Sequence, residues 1–165
     1  MPQNDQALLI RLRESGLDFV VTGGVCVVFH GAPLATFDLD ICRPFGEENV
    51  RRIESGVADL HPCHRLTANQ LLLEMSRGAF GDLKNLSLQT ELGKLDCLSE
   101  VSGVGDFEAV RKRSVLASFS YGQFRFFALD ALIASKKTTG RDRDLAAVRS
   151  LLAIKERHEQ QRHQP

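Results

Sequence analysis

The sequence holds no tryptophan, one tyrosine and only two methionines in 165 residues. Large amphipathic anchors of the kind that dominate tight protein docking are therefore scarce. Net charge is missing as well: 21 lysines and arginines balance 21 aspartates and glutamates. That balance excludes a global attraction to nucleic acid or to an anionic membrane, so any polyanion must be read by a local patch. No apolar run approaches the length of a membrane span or a signal sequence, and the first six residues are mostly polar, so a cytoplasmic protein is expected. The four cysteines, Cys26, Cys42, Cys63 and Cys97, lack the paired spacing of a zinc or redox site and read as reduced thiols. No repeat, linker or low-complexity block divides the chain. A single domain over residues 1–165 is expected, with a polar tail fraying from Glu156.

What is present is organised around residues 20–43. The β-branched pair Val20-Val21 runs into Gly23-Gly24, which opens a short apolar segment ending at His30-Gly31. Strand, glycine turn and helix follow one another, an arrangement in which backbone N–H groups can approach a phosphate. The next strand is Thr36-Phe37-Asp38-Leu39-Asp40-Ile41. Alternation places Phe37, Leu39 and Ile41 towards a core and puts Asp38 and Asp40 on the opposite face, about 7 Å apart. Two such carboxylates repel each other, and a hard divalent cation such as Mg²⁺ relieves the repulsion with oxygen ligands of this type. The alternative is a solvated polar face on an edge strand.

Upstream, Asn4 or Asp5 can cap a helix carrying Leu8, Leu9 and Leu12, with Gly16 as its stop. Downstream, Val50, Ile53, Val57 and Leu60 recur at helical spacing, and the crossover suits an α/β or α+β fold: a mixed twisted sheet with flanking helices. Leu71-Leu72-Leu73 with Met75 fits either a helix or a strand, and Gly78 and Gly81 suggest a mobile loop. Leu86, Leu88 and Thr90 mark a half-exposed strand, a turn follows at Glu91-Leu92, and Leu95-Asp96-Cys97-Leu98 is an apolar strand interrupted by one acid. Asp96 needs either a cation beside it or a partner such as Lys94 or an arginine. A second hairpin is expected around Tyr121-Gly122, with Phe124, Phe126 and Phe127 in the core. Two helices then meet at Gly140. Lys136 lies on the inward face of the first, and Asp144 borders the apolar side of the second, which carries Leu145, Val148, Leu151 and Leu152. His30 reads as a satisfied helix-end residue, and the His61-Pro62-Cys63-His64 cluster as a loop outside zinc spacing.

Gly23-Gly24, His30-Gly31, Thr36-x-Asp38-x-Asp40, Asp96 and the late Lys136, Arg141 and Asp144 together resemble the DNA polymerase β-like nucleotidyltransferases, in particular small prokaryotic AbiEii-type members. The resemblance implies two Mg²⁺ ions and a nucleoside triphosphate (NTP) substrate, with a nucleoside monophosphate moved to a protein or RNA acceptor. It implies that Asp38, Asp40 and Asp96 hold metal and carry the chemistry. Gly23 and Gly24 would cradle phosphates, Lys136 would neutralise triphosphate charge, and Arg141 and Asp144 would brace the nucleotide site. Leu34 stands where such sequences usually carry an arginine, so that contact is either lost or supplied by Arg43, Arg141 or a partner. Leu34 keeps open a second expectation, a catalytically degenerate version of the fold that binds a nucleotide or a partner protein, as in one half of a toxin–antitoxin pair. A phosphohydrolase built on the same acids ranks behind both.

Overall fold

The side-chain oxygen of Asn4 accepts a hydrogen bond from Ala7 N–H at 3.0 Å and so starts helix α1 (Asp5–Glu14). Leu8, Leu9 and Leu12 turn inward, and Gly16, at φ +79°, releases the chain after the last turn. The computed structural model describes residues 3–66, 72–73 and 83–162. The ambiguous Leu71–Met75 stretch, save Leu72 and Leu73, and the loop expected at Gly78 and Gly81 lie outside those residues.

The remaining elements are β1 (Val20–Val21), α2 (Gly23–Phe29), β2 (Asp38–Cys42), α3 (Glu47–Val57), β3 (Cys63–His64), β4 (Asn85–Thr90), β5 (Gly93–Leu98), β6 (Glu100–Val101), β7 (Gly105–Asp106), α4 (Phe107–Lys112), β8 (Ser114–Phe119), β9 (Gly122–Phe127), α5 (Leu129–Thr139) and α6 (Asp142–Arg162). A seven-stranded mixed sheet runs in the order β3-β4-β5-β2-β1-β9-β8, and β6 pairs with β7 separately. The pairs β2–β5 and β1–β9 are parallel, and the other neighbours in the large sheet are antiparallel. This is the mixed sheet with flanking helices and a closing helical pair that the sequence predicts.

The inward faces follow the alternation. Leu39 and Ile41 from β2, Leu86 and Leu88 from β4, and Leu95 and Cys97 from β5 are fully or almost fully buried with Val50, Ile53 and Val57 of α3. On the other half of the sheet, Phe126 stacks on the half-buried Phe29 of α2 at 4.0 Å between ring centres, and Phe124, Phe126 and Phe127 are core, as expected. Three expectations need correction. Phe37 is 71% exposed, because β2 begins only at Asp38 and the pleat that would have turned Phe37 inward has not started. Leu145 is 39% exposed, and the buried stripe of α6 runs through Asp144, Ala147, Val148, Leu151 and Ile154 instead. Helix α6 continues to Arg162, past Glu156 where a loose tail was expected to begin.

Arg43, one residue beyond β2, is fully buried. Its guanidinium donates to the carbonyls of Pro44 at 3.0 Å and Leu83 at 2.8 Å, and its backbone N–H donates to Leu98 O at 2.8 Å. Burial lowers its pKa. Arg43 staples the end of the β2–β5 pair, and alternation sends it away from the face of Asp38 and Asp40. It does not supply the contact that Leu34 lacks.

Candidate active site

Strand register gathers residues distant in sequence into one line across the sheet. Asp40 on β2 is paired with Asp96 on β5, and Asp96 with Ser87 on β4. Arg65, just past β3, donates its N–H to Ser87 O at 2.8 Å, and Thr22, just past β1, donates its N–H to Asp40 O at 2.9 Å. Arg65, Ser87, Asp96, Asp40 and Thr22 thus form a transverse row, with Gly23 and Gly24 directly after its last member. Laterally paired residues point to the same face, so the row presents its side chains together. Asp38 joins that face two residues before Asp40, opposite Lys94.

The glycines are required by Asp40. Gly23 sits at φ +59°, and a Cβ there would overlap the Asp40 carboxylate. A Cβ on Gly24 would overlap the Thr36 side chain. The Gly24 N–H donates to Asp40, so the opening of α2 seats the carboxylate at its centre. Beside it the Thr22 hydroxyl oxygen is buried without a hydrogen-bond partner among the described residues.

Burial pushes the Asp40 carboxyl up from 3.8 to about 6, with Asp38 and Asp96 adding like-charge repulsion. The Gly24 N–H and Lys136 oppose that rise. Asp40 therefore binds its proton more tightly folded than unfolded, and stability falls as pH climbs through this interval. Above it the charged group costs about 3 kcal/mol before any relaxation. Asp40→Asn keeps an acceptor for Gly24 and removes the charge. It is expected to raise the free energy of urea unfolding by about 1–3 kcal/mol at about pH 7.5, the gain vanishing below about pH 4. A variant less stable than the parent at neutral pH would contradict this account.

Asp96 is held differently. Its Oδ1 accepts from the Arg65 guanidinium in an ion pair whose side chains are 21% (Arg65) and 17% (Asp96) exposed. The Arg65 Nε is buried without a partner among the described residues. Lys136 donates to Asp144 Oδ1 at 2.8 Å, a pair from which water is largely excluded, and the second Asp144 oxygen is buried without a partner among the described residues. Asp144 thus fixes Lys136, and Lys136 is near enough to Asp40 to lower its pKa. Arg141 stands exposed where α5 gives way to α6, outside this buried group. Leu34, 37% exposed, lies beside Gly24. His30 ends α2 with its Nε2 2.8 Å from Phe127 O, the satisfied helix-end role expected of it. His61 pairs with Glu91 at 2.7 Å, while Cys63 and His64 lie in β3, so the cluster does not converge.

The donor set fits a divalent cation: hard carboxylate oxygens on one sheet face, with more negative charge around Asp40 than nearby donors offset. Among the described residues, no three His, Cys, Asp or Glu side chains are gathered as ready ligands. At this face Asp96 is engaged by Arg65.

The structure adds Arg65, Ser87 and Thr22 to the residues the sequence singled out. Ser87 has a legible signal, since it lies on the polar side of the alternating β4. Arg65 has none, because β3 is two residues long and carries no periodicity.

No family model and no curated protein matches the sequence. Solved structures do match in fold. One is a Thermotoga maritima protein described as a candidate nucleotidyltransferase, with a TM-score of 0.56 at 16% identity over 88% of each chain. Another is ANT(2″)-Ia in complex with adenylyl-2″-tobramycin, with a TM-score of 0.53 at 14% identity over 92% of this chain and 94% of that one. The chain therefore has the fold of these proteins. No helix among the described residues is long and apolar enough to cross a membrane.

Proposed function

We propose that the chain is a nucleotidyltransferase that moves a nucleoside monophosphate from an NTP to a hydroxyl acceptor. The observation that carries this reading is the transverse row, which sets Asp40 beside Asp96 and against the glycine pair, with Asp38 on the same face. A shared fold alone would not suffice, since one fold hosts many activities. Asp38, Asp40 and Asp96 would hold Mg²⁺, which supplies charge neutralisation and Lewis-acid polarisation at the α-phosphate. Gly23 and Gly24 keep side chains clear of the phosphates. Lys136, pinned by Asp144, adds a fixed positive charge beside the acids. The acceptor oxygen forms a bond to the α-phosphorus as the bond to the β-phosphate bridge breaks. Pyrophosphate leaves, and Asp96 takes the hydroxyl proton.

The acceptor we favour is a protein or RNA hydroxyl. The adenylyl-tobramycin in ANT(2″)-Ia makes a small polyol the natural comparison in the assay. The test is incubation of the parent and Asp38→Ala/Asp40→Ala proteins with Mg²⁺ and each α-labelled NTP, offering cell extract or an aminoglycoside as acceptor. Label should pass to an acceptor with the parent protein only, at least about a thousandfold above the variant. Equal transfer by both proteins, or release of inorganic phosphate in place of pyrophosphate, sinks the proposal. Leu34 beside Gly24 favours a second reading, a nucleotide-binding partner module of a toxin–antitoxin pair. NTP binding without transfer, together with a stable complex with a neighbouring gene product, would establish that one.

A further inference from the structure

The Arg65–Asp96 pair joins two members of the transverse row that are not adjacent. Arg65 lies beside Ser87, and Ser87 beside Asp96, so the guanidinium crosses a whole strand to reach the carboxylate. Strands are spaced about 4.8 Å apart, so the two Cα atoms stand about 9–10 Å from each other, a span an extended arginine closes only over a small residue. Serine at position 87 leaves that path open. The pair is largely shielded from water, and the Nε of the same guanidinium has no partner among the described residues. Arg65 is thus a cation delivered from the sheet's β3 edge to Asp96, whose lateral neighbours on that face are Asp40 and Ser87.

A guanidinium and a divalent ion on the same carboxylate compete for its oxygens and repel each other. Asp38 and Asp40 carry no such ion pair among the described residues, whereas Asp96 does. We propose that Arg65 is a built-in counter-cation for Asp96, so that an ion held by Asp38 and Asp40 binds first and an ion needing Asp96 binds only by displacing Arg65. This rests on the metal-dependent reading above and adds an order of loading to it. Arg65 is a positioning residue: it sets when Asp96 becomes available and releases its guanidinium, with a vacant Nε donor, as the site fills.

The test is Mn²⁺ binding to the full chain, without nucleotide, followed by calorimetry and by the spin-resonance signal of unbound Mn²⁺. The parent protein is expected to show a tighter and a weaker site. Arg65→Gln should tighten the weaker site at least about tenfold and leave the tighter one within about twofold. Asp96→Asn should abolish the weaker site. Should Arg65→Gln fold poorly, Ser87→Leu blocks the path while leaving the arginine in place, and it should tighten the weaker site in the same direction. Unchanged or weakened binding in a folded Arg65→Gln or Ser87→Leu protein overturns the proposal while the metal-dependent reading stands. Parent protein that binds no Mn²⁺ overturns both.

Discussion

Gly23→Ala is expected to destabilise the protein by about 3 kcal/mol or more and to remove transfer activity with it. Two effects combine. The residue sits at φ +59°, where a Cβ costs about 1–2 kcal/mol on its own. The new methyl group would also occupy the space of the Asp40 carboxylate, and forcing it into packed surroundings adds about 1–3 kcal/mol. Asp40 cannot give way cheaply, since it is bonded to Gly24 and lies in the paired run of β2. Gly24→Ala makes a useful comparison. Gly24 lacks the left-handed conformation and would meet the Thr36 side chain, so it should cost less. Urea midpoints for the two variants, with Mn²⁺ binding beside them, check the ranking. A Gly23→Ala protein as stable as its parent would show that the carboxylate lies elsewhere.

Asp144→Ala is expected to cost about 3–5 kcal/mol, because it strands the Lys136 ammonium in a buried setting without its carboxylate. The double variant Lys136→Met/Asp144→Leu removes both charges and fills similar volume, so it should recover most of that loss. Transfer should not recover with it, because the fixed positive charge near Asp40 is gone. Stability and activity then separate. Thermal melts of the single and double variants, read beside the labelled-NTP assay, give the four values needed. If the double variant transferred label at the parent rate, Lys136 would be a purely structural residue.

Much of this site is legible in the sequence because alternation is a strict rule within a strand. Asp38 and Asp40 flank the buried Leu39, and Asp96 interrupts the buried Leu95 and Cys97, so the polar face announces itself. Lys136 and Asp144 are placed by helical spacing around the Gly140 break, which closes α5 at φ +66°. What remains hidden depends on register between strands. No local pattern tells that Asp40 lies beside Asp96, or that the chain after β3 returns to Ser87. Arg65 follows a two-residue strand, too short for any period to emerge. Phe37 misleads for a related reason, since its apolar character suggests a pleat that begins one residue later. Arg43 reads in sequence as a stand-in for the arginine missing at Leu34, whereas its partners are backbone carbonyls, which carry no signature in sequence.

The middle of the sheet has a bearing on how the molecule comes to be folded. Strand β1 is two residues long, yet it alone joins β2 to β9. Hairpins β4–β5 and β8–β9 close over short turns and can form early from neighbouring segments. Val20 and Val21, by contrast, must find partners at Cys42 and Ile41 on one side and at Arg125 and Phe126 on the other. Loop closure over such separations comes late, so the narrow seam is expected to seal only after both hairpins stand ready. Gly23 and Gly24 begin directly beyond that seam. The glycine turn and the Asp40–Asp96 pair both depend on distant pairings, β1 with β9 and β2 with β5, so the candidate site is expected to be completed last, after the two hairpins have formed.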